Sequence, residues 1–335
     1  MKIPMRVALG SASFALAFTS IPFALAAQTP ASTLLVLNKE EASLVILDPA
    51  SGRPVASVPT GEGPHEVVAS TDGALAFVGN YGGAQTPGNS ISVIDVKSGK
   101  ELRRVDLGPL RRPHGLAFAG DRLFFTAETN RLVGRYDPAS NQIDWLLGTG
   151  QAGTHMVVAA KDGSLLFTSN IGSDSVSIIE QGPNPGAWNV TVVPVGKGPE
   201  AIDLSPDGRE LWTAHSRDGG ISIIDPAAHK VVGTIELGTR RSNRLKFTPD
   251  GKLVLVTDLD AGELRVVDAV ARREVKRIPL GRSPEGILIP PAGNVAYVAV
   301  TGDNQVAVLD LKTLAITTRF APGKGPDGMA WVGKD

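Results

Sequence analysis

The sequence predicts an all-β protein, a seven-bladed β-propeller of four-stranded antiparallel blades, and three observations point to it. A glycine ends one apolar segment and opens the next at Gly61, Gly108, Gly150, Gly196, Gly238, Gly281 and Gly323, at intervals of 42 to 47 residues, the length of four short strands with their turns. Within each interval the apolar residues fall in runs too short for helices. Thirty-eight glycines and 24 prolines are spread along 335 residues, as many tight turns and unpaired strand ends require.

The chain opens with a segment read as a secretory signal over residues 1–27. Lys2 and Arg6 form its basic start, Val7 to Leu25 its apolar stretch, and Ala24-Leu25-Ala26-Ala27 its small-residue cleavage site. Residues 28–335 are then one domain, expected in the periplasm or outside the cell, with no membrane span after cleavage.

The fourth unit shows the four strands of a blade most clearly: Ala201 to Ser205, Glu210 to Ala214, Ile221 to Asp225 and Val231 to Leu237. An Asp-Gly pair separates the first and second strands at Asp72-Gly73, Asp162-Gly163, Asp207-Gly208 and Asp250-Gly251, the dipeptide that a tight hairpin favours. Every third strand ends in an acid, at Asp48, Asp95, Asp137, Glu180, Asp225, Asp268 and Asp310. Ahead of turn sequences, these carboxylates are placed to accept backbone N–H bonds rather than to catalyse.

Six complete units run from Gly61 to about Gly323, and Pro326 to Val332 supplies a lone first strand. Leu34 to Asn38, Ser43 to Asp48 and Val55 to Thr60 match the three strands it lacks. The N-terminal strands are therefore expected to pair with the C-terminal one, leaving no open edge.

Composition narrows function mainly by exclusion. With no cysteine, the chain has no disulfide, no thiolate metal site and no covalent haem attachment. The formal net charge of −1 moves further negative if Lys2 and Arg6 are removed, and arginines are not striped with aromatics, so a nucleic-acid partner is not expected. Neither a GxSxG elbow nor a phosphate-cradling loop occurs.

Units of the form GxGPxxIxxSPDG, followed by a VTN-like strand and ISVID, resemble the YVTN β-propeller repeat family, the YncE-like exported proteins. The resemblance covers the chain from about Ser32 to its end, with Gly196 to Gly238 and Gly238 to Gly281 the nearest matches. It implies the fold strongly and the activity weakly, since that family and its neighbours include binding proteins, lactonases and haem-binding propellers. Nucleic-acid binding, ascribed to a YncE-like relative, is not carried over.

In a propeller, the start of each first strand and the loop after each second strand meet at one mouth of the channel. The first register holds His65, His114, His155, Glu200, Asn243, Glu285 and Asp327. The second, read as the last residue of the second strand, holds Asn38, Asn80, Glu128, Asn170, His215, Asp258 and Val300. Four of the five histidines fall in these registers. Such residues can simply bond a neighbouring blade. They can also bind metal, with His65, His114 and His155 around a divalent Zn, Cu, Ni or Fe ion and the carboxylates orienting them. This mixed ring resembles the metal sites of amidating lyases and gluconolactonases, and with a metal present His215 or Glu128 would move protons.

Arg111, Arg112, Arg240, Arg241, Arg244, Lys197, Arg282 and Lys324 lie in loops on the same face, a rim suited to an anionic ligand. The expected ligand set is Glu200, Asn243, Glu285, Asp327, Asn80, Arg112, Arg241 and Arg244. Tyr81 to Ser90 is the longest loop there and is expected to cover the mouth. Three functions follow: an exported binding protein for a small anion, a metal or its complex, or a partner protein; a metal-dependent hydrolase or lyase; and a cell-surface interaction scaffold.

Overall fold

The computed structural model describes Met1, Pro4, residues 32–184 and residues 186–333. The signal reading of residues 1–27 lies outside the described residues apart from Met1 and Pro4. Among the described residues no helix is long and apolar enough to cross a membrane.

The described strands form seven four-stranded antiparallel sheets. The first blade comprises Pro64–Ala69, Leu75–Gly82, Pro87–Asp95 and Lys100–Asp106, and five more follow in chain order with the same up-and-down path. Their innermost strands are Pro113–Ala119, Thr154–Ala159, Pro199–Leu204, Ser242–Phe247 and Pro284–Leu288. The seventh blade closes the ring: Pro326–Gly333 is its inner strand, and Ser32–Asn38 pairs with it antiparallel, Leu35 opposite Ala330 and Thr33 opposite Val332. Ser43–Leu47 and Pro54–Pro59 complete that sheet.

The turns form for the reasons their residues suggest. Gly73, Gly163, Gly208 and Gly251 have φ between 70° and 74°, which the Asp-Gly hairpins need. The acids ending the third strands cap the following turns: Asp48 accepts from the Ala50 N–H at 3.0 Å, Asp95 from Ser98 at 2.6 Å and Asp310 from Thr313 at 2.7 Å. Glu180 instead pairs with His229 at 3.1 Å.

Hydrophobic burial is divided among the seven gaps between adjacent blades. Trp212 of the fourth blade, for example, packs edge-on to Phe247 of the fifth at 5.3 Å, while Phe77 and Phe125 fill the gap between the first and second. Each large buried side chain contributes about 1.5–3 kcal/mol. Because the wedges between blades carry this stabilisation, the axis is free to be polar.

Candidate functional site

In all seven blades the pairing of the inner strand with its neighbour breaks register just after the strand begins. The break lies between Pro64 and Glu66, Pro113 and Leu116, Thr154 and Val157, Pro199 and Ala201, Ser242 and Leu245, and Pro284 and Ile287; in the seventh blade it falls between Val36 and Asn38 on the partner strand. A bulge re-aims a side chain out of the sheet. The residues at these breaks are those expected at the mouth: His65, His114, His155, Glu200, Asn243, Glu285 and Asp327.

The structure brings the first three together as a run of rings. His65 and His114 lie 5.3 Å apart edge to face, and His114 and His155 lie 3.8 Å apart with planes at 32°. Gly115 permits this approach: a Cβ there would stand 2.5 Å from the Val157 nitrogen and 2.7 Å from the His155 carbonyl oxygen. Tyr81 stacks on His65 at 4.6 Å, its hydroxyl donates to Glu128 at 3.1 Å, and Arg112 lies over its ring at 4.7 Å. Burial, reinforced by the neighbouring His155 and His65, holds the His114 imidazole well below its ordinary pKa, and burial lowers that of His65.

As a metal-ligand set the three imidazoles do not fit. Their rings stack through faces and edges, and among the described residues no group of three or more His, Asp or Glu side chains is arranged to hold an ion. His155 is individually oriented, with Nδ1 on Glu128 at 3.3 Å and a buried Nε2 that has no partner. The buried Nδ1 of His114 is likewise unpaired.

The opposite side of the axis is ionic. Lys39 Nζ reaches Glu285 at 2.5 Å and Asp327 at 3.3 Å, and Arg244 pairs with Glu66 of the first blade. Asn243 donates to Glu200 at 2.7 Å. Asp327 is fully buried, and apart from the Lys39 and Arg244 cations at 3.3 and 4.0 Å its carboxylate oxygens have no well-aligned hydrogen-bond donor. Burial pushes its pKa up, but Lys39 and Arg244 outweigh this and hold the carboxyl below its usual range. Burial and then the Asp327 charge push Glu285 up to about 7, against the opposing pull of Lys39. Burial likewise raises Glu66, although Arg244 opposes it. Two acids in one register thus differ in charge near neutrality because their surroundings differ.

Several expected ligands serve other purposes. Asn80 turns into its own blade, accepting from the Gly61 N–H at 2.9 Å and donating to Ser90 and Ser92 at 3.0 Å. Asp258 accepts from Arg241 N–H at 3.0 Å and pairs with buried Arg265 at 3.1 Å. His215, expected to move protons, is buried, with Nδ1 on Asp218 at 2.8 Å and no contact with the other imidazoles. The guanidinium of Arg112 covers Tyr81, Arg244 is engaged by acids, and Arg241 is exposed on the rim. The anion-binding expectation weakens accordingly: Glu66, Glu128, Glu200, Glu285 and Asp327 outnumber the inner cations Lys39 and Arg244.

The second register was displaced by one residue in the second blade. There the strand ends at Ala127, opposite Pro113, and Glu128 begins the next turn. Lys39 and Tyr81 also follow their register residues, Asn38 and Asn80, by one. It is these three following residues that reach the axis, while the register residues bond within their blades. Sequence reasoning missed Lys39 and Glu66. The available signal for Glu66 and Arg244 was charge at a position that Gly115, Met156, Ala201, Gly286 and Gly328 otherwise fill with uncharged side chains.

No protein-family profile matches the chain. It is 33% identical over 141 residues to hydrazine synthase subunit beta of Kuenenia stuttgartiensis, covering 34% of this chain and 36% of that protein. It is 25% identical over 178 residues to YncE of Salmonella typhimurium, covering 52% and 50%. The chain spans about half or less of the length of these curated relatives. Among solved structures, the periplasmic gluconolactonase PpgL of Pseudomonas aeruginosa superposes with a TM-score of 0.72 at 19% identity, over 90% of this chain and 99% of that one. The ring of closed four-stranded sheets defines the class, a seven-bladed β-propeller. Within that class the chain is similar to the YncE-like propellers, at 25% identity over about half its length.

Proposed function

We propose that the chain is an exported binding protein whose axial mouth holds a small molecule rich in hydrogen-bond donors, such as a polyhydroxylated compound or an amine. The observation that carries this reading is Asp327, a wholly buried carboxylate on the axis that Lys39 approaches at 3.3 Å but whose oxygens receive no well-aligned hydrogen bond. Such groups are ordinarily satisfied, by protein, water or ligand. His155 Nε2 and His114 Nδ1 present the same unmet capacity nearby, and Lys39, His65, Tyr81, Glu128 and Glu285 are partly exposed around them. The excess of acids favours a neutral or cationic ligand over an anion. Export is supported by the N-terminal sequence and by likeness to a periplasmic propeller. The test is thermal-shift screening of polyols, sugar lactones, amines and organic anions, followed by calorimetric titration. Donor-bearing neutral or cationic compounds should stabilise the wild type and bind Asp327→Asn at least about tenfold more weakly, a difference of about 1.4 kcal/mol. Stabilisation by anions alone, or equal binding by the variant, would refute the reading.

A second reading is favoured by the Glu285 and Asp327 pair, since two carboxyls with separated pKa values supply an acid beside a base. The lactonase named above gives it a reaction class: water adds across an acyl C–O bond to yield acid and alcohol, with Glu285 protonating the leaving oxygen and Asp327 taking a proton from water. Gluconolactone opening followed by pH-stat should then fall about a hundredfold in Glu285→Gln. Equal rates in the two proteins, or none above background, would reject it.

A further inference from the structure

The channel holds a cavity on the far side of the Arg244–Glu66 pair from the histidines. Its volume is about 510 Å³, it is walled by the inner strands of all seven blades, and it extends to Ser70 and Pro291 near the hairpin-turn face. This lies in the size range of small-molecule sites.

We infer that this cavity is a separate binding site for an uncharged small molecule that combines an apolar body with polar groups. Two features argue for that chemistry. Val68, Met156, Val158, Ile289, Met329 and Trp331 line it, and each is only partly buried although it belongs to an inter-blade cluster. Water in the cavity therefore touches apolar side chains on several sides, and an apolar occupant would release that water and complete their burial. The charged residues lining the cavity are already matched: Arg244 with Glu66 at the inner end, and Lys246 with Asp203 at 3.0 Å. A charged ligand would lose hydration and find no free counterion. The exposed backbone edges of the inner strands still offer polar contacts to one or two ligand groups.

The neutral fluorophore N-phenyl-1-naphthylamine is a suitable probe for the full-length protein. It should bind once per chain, with a rise in its emission and energy transfer from Trp331. Trp331→Phe should retain binding and lose most of that transfer. Filling the cavity with Val68→Phe and Val158→Phe should weaken binding at least tenfold while circular dichroism and cooperative unfolding confirm the fold. Should either substitution disrupt folding, Met329→Phe alone makes the same prediction. Asp327→Asn, at the other mouth, should bind the probe as the wild type does. An unsaturable signal, more than one probe per chain, or equal affinity in the filled variants would overturn the inference.

Discussion

Arg244 of the fifth blade pairs across the axis with Glu66 of the first, joining residues 178 positions apart. The pair lies between the polar mouth and the cavity of mixed lining beyond it. Glu66 is followed, in order of influence, by Asp327, Glu200 and Glu285 among the acids acting on Arg244, and together they hold its guanidinium firmly charged against burial.

Arg244→Met should therefore destabilise the fold by about 3–5 kcal/mol at neutral pH, because it strands buried acids. Arg244→Met combined with Glu66→Gln should recover part of that loss. Urea unfolding of both variants measures the difference.

Glu285 should give stability a distinctive pH dependence. Its carboxyl is pushed from an ordinary 4.5 up to about 7 in the folded chain, so between those values the folded state holds a proton that the unfolded state has released. Its contribution favours folding at low pH and fades as pH rises to about 7. Glu285→Gln does not titrate and should gain about 2–4 °C on the wild type as pH rises through that window. Parallel melting curves read the difference directly.

His114 acts in the opposite sense. Buried among other rings, its imidazole titrates well below the usual 6.5, so the unfolded chain takes up a proton first as pH falls. Folding stability is lost below about pH 6.5 down to the folded value. His114→Phe keeps a ring at that place and should flatten this acid limb, as a melting series from pH 7 to pH 5 would reveal.

Removing residues 326–335 should abolish cooperative unfolding and promote aggregation, because Ser32–Asn38 would lose its partner and expose an edge strand. Light scattering and denaturant titration test this.

The fold was legible because glycine spacing and Asp-Gly turns are local signals that repeat, and Pro326 to Val332 visibly lacked the partners that Leu34 to Thr60 supplied. The first axial register was legible for the same reason. The second was not, because a single-residue slip reverses where a side chain points: the sequence pattern makes Glu128 a strand end, whereas it lies with Lys39 and Tyr81 one step beyond. Nor could spacing reveal that the His114 and His155 rings would lie 3.8 Å apart with tilted planes, since that depends on how closely Gly115 lets two blades approach. The partnership of Glu66 and Arg244 needed ring closure before it could be seen at all.

The register breaks at the start of the inner strands have one more consequence. A side chain standing at a gap in the ladder has no cross-strand neighbour that dictates its size or polarity, so imidazole, carboxylate and carboxamide occupy equivalent stations here without altering the sheets beneath them. Substitutions at these stations should therefore change what the mouth binds while leaving the sheets intact.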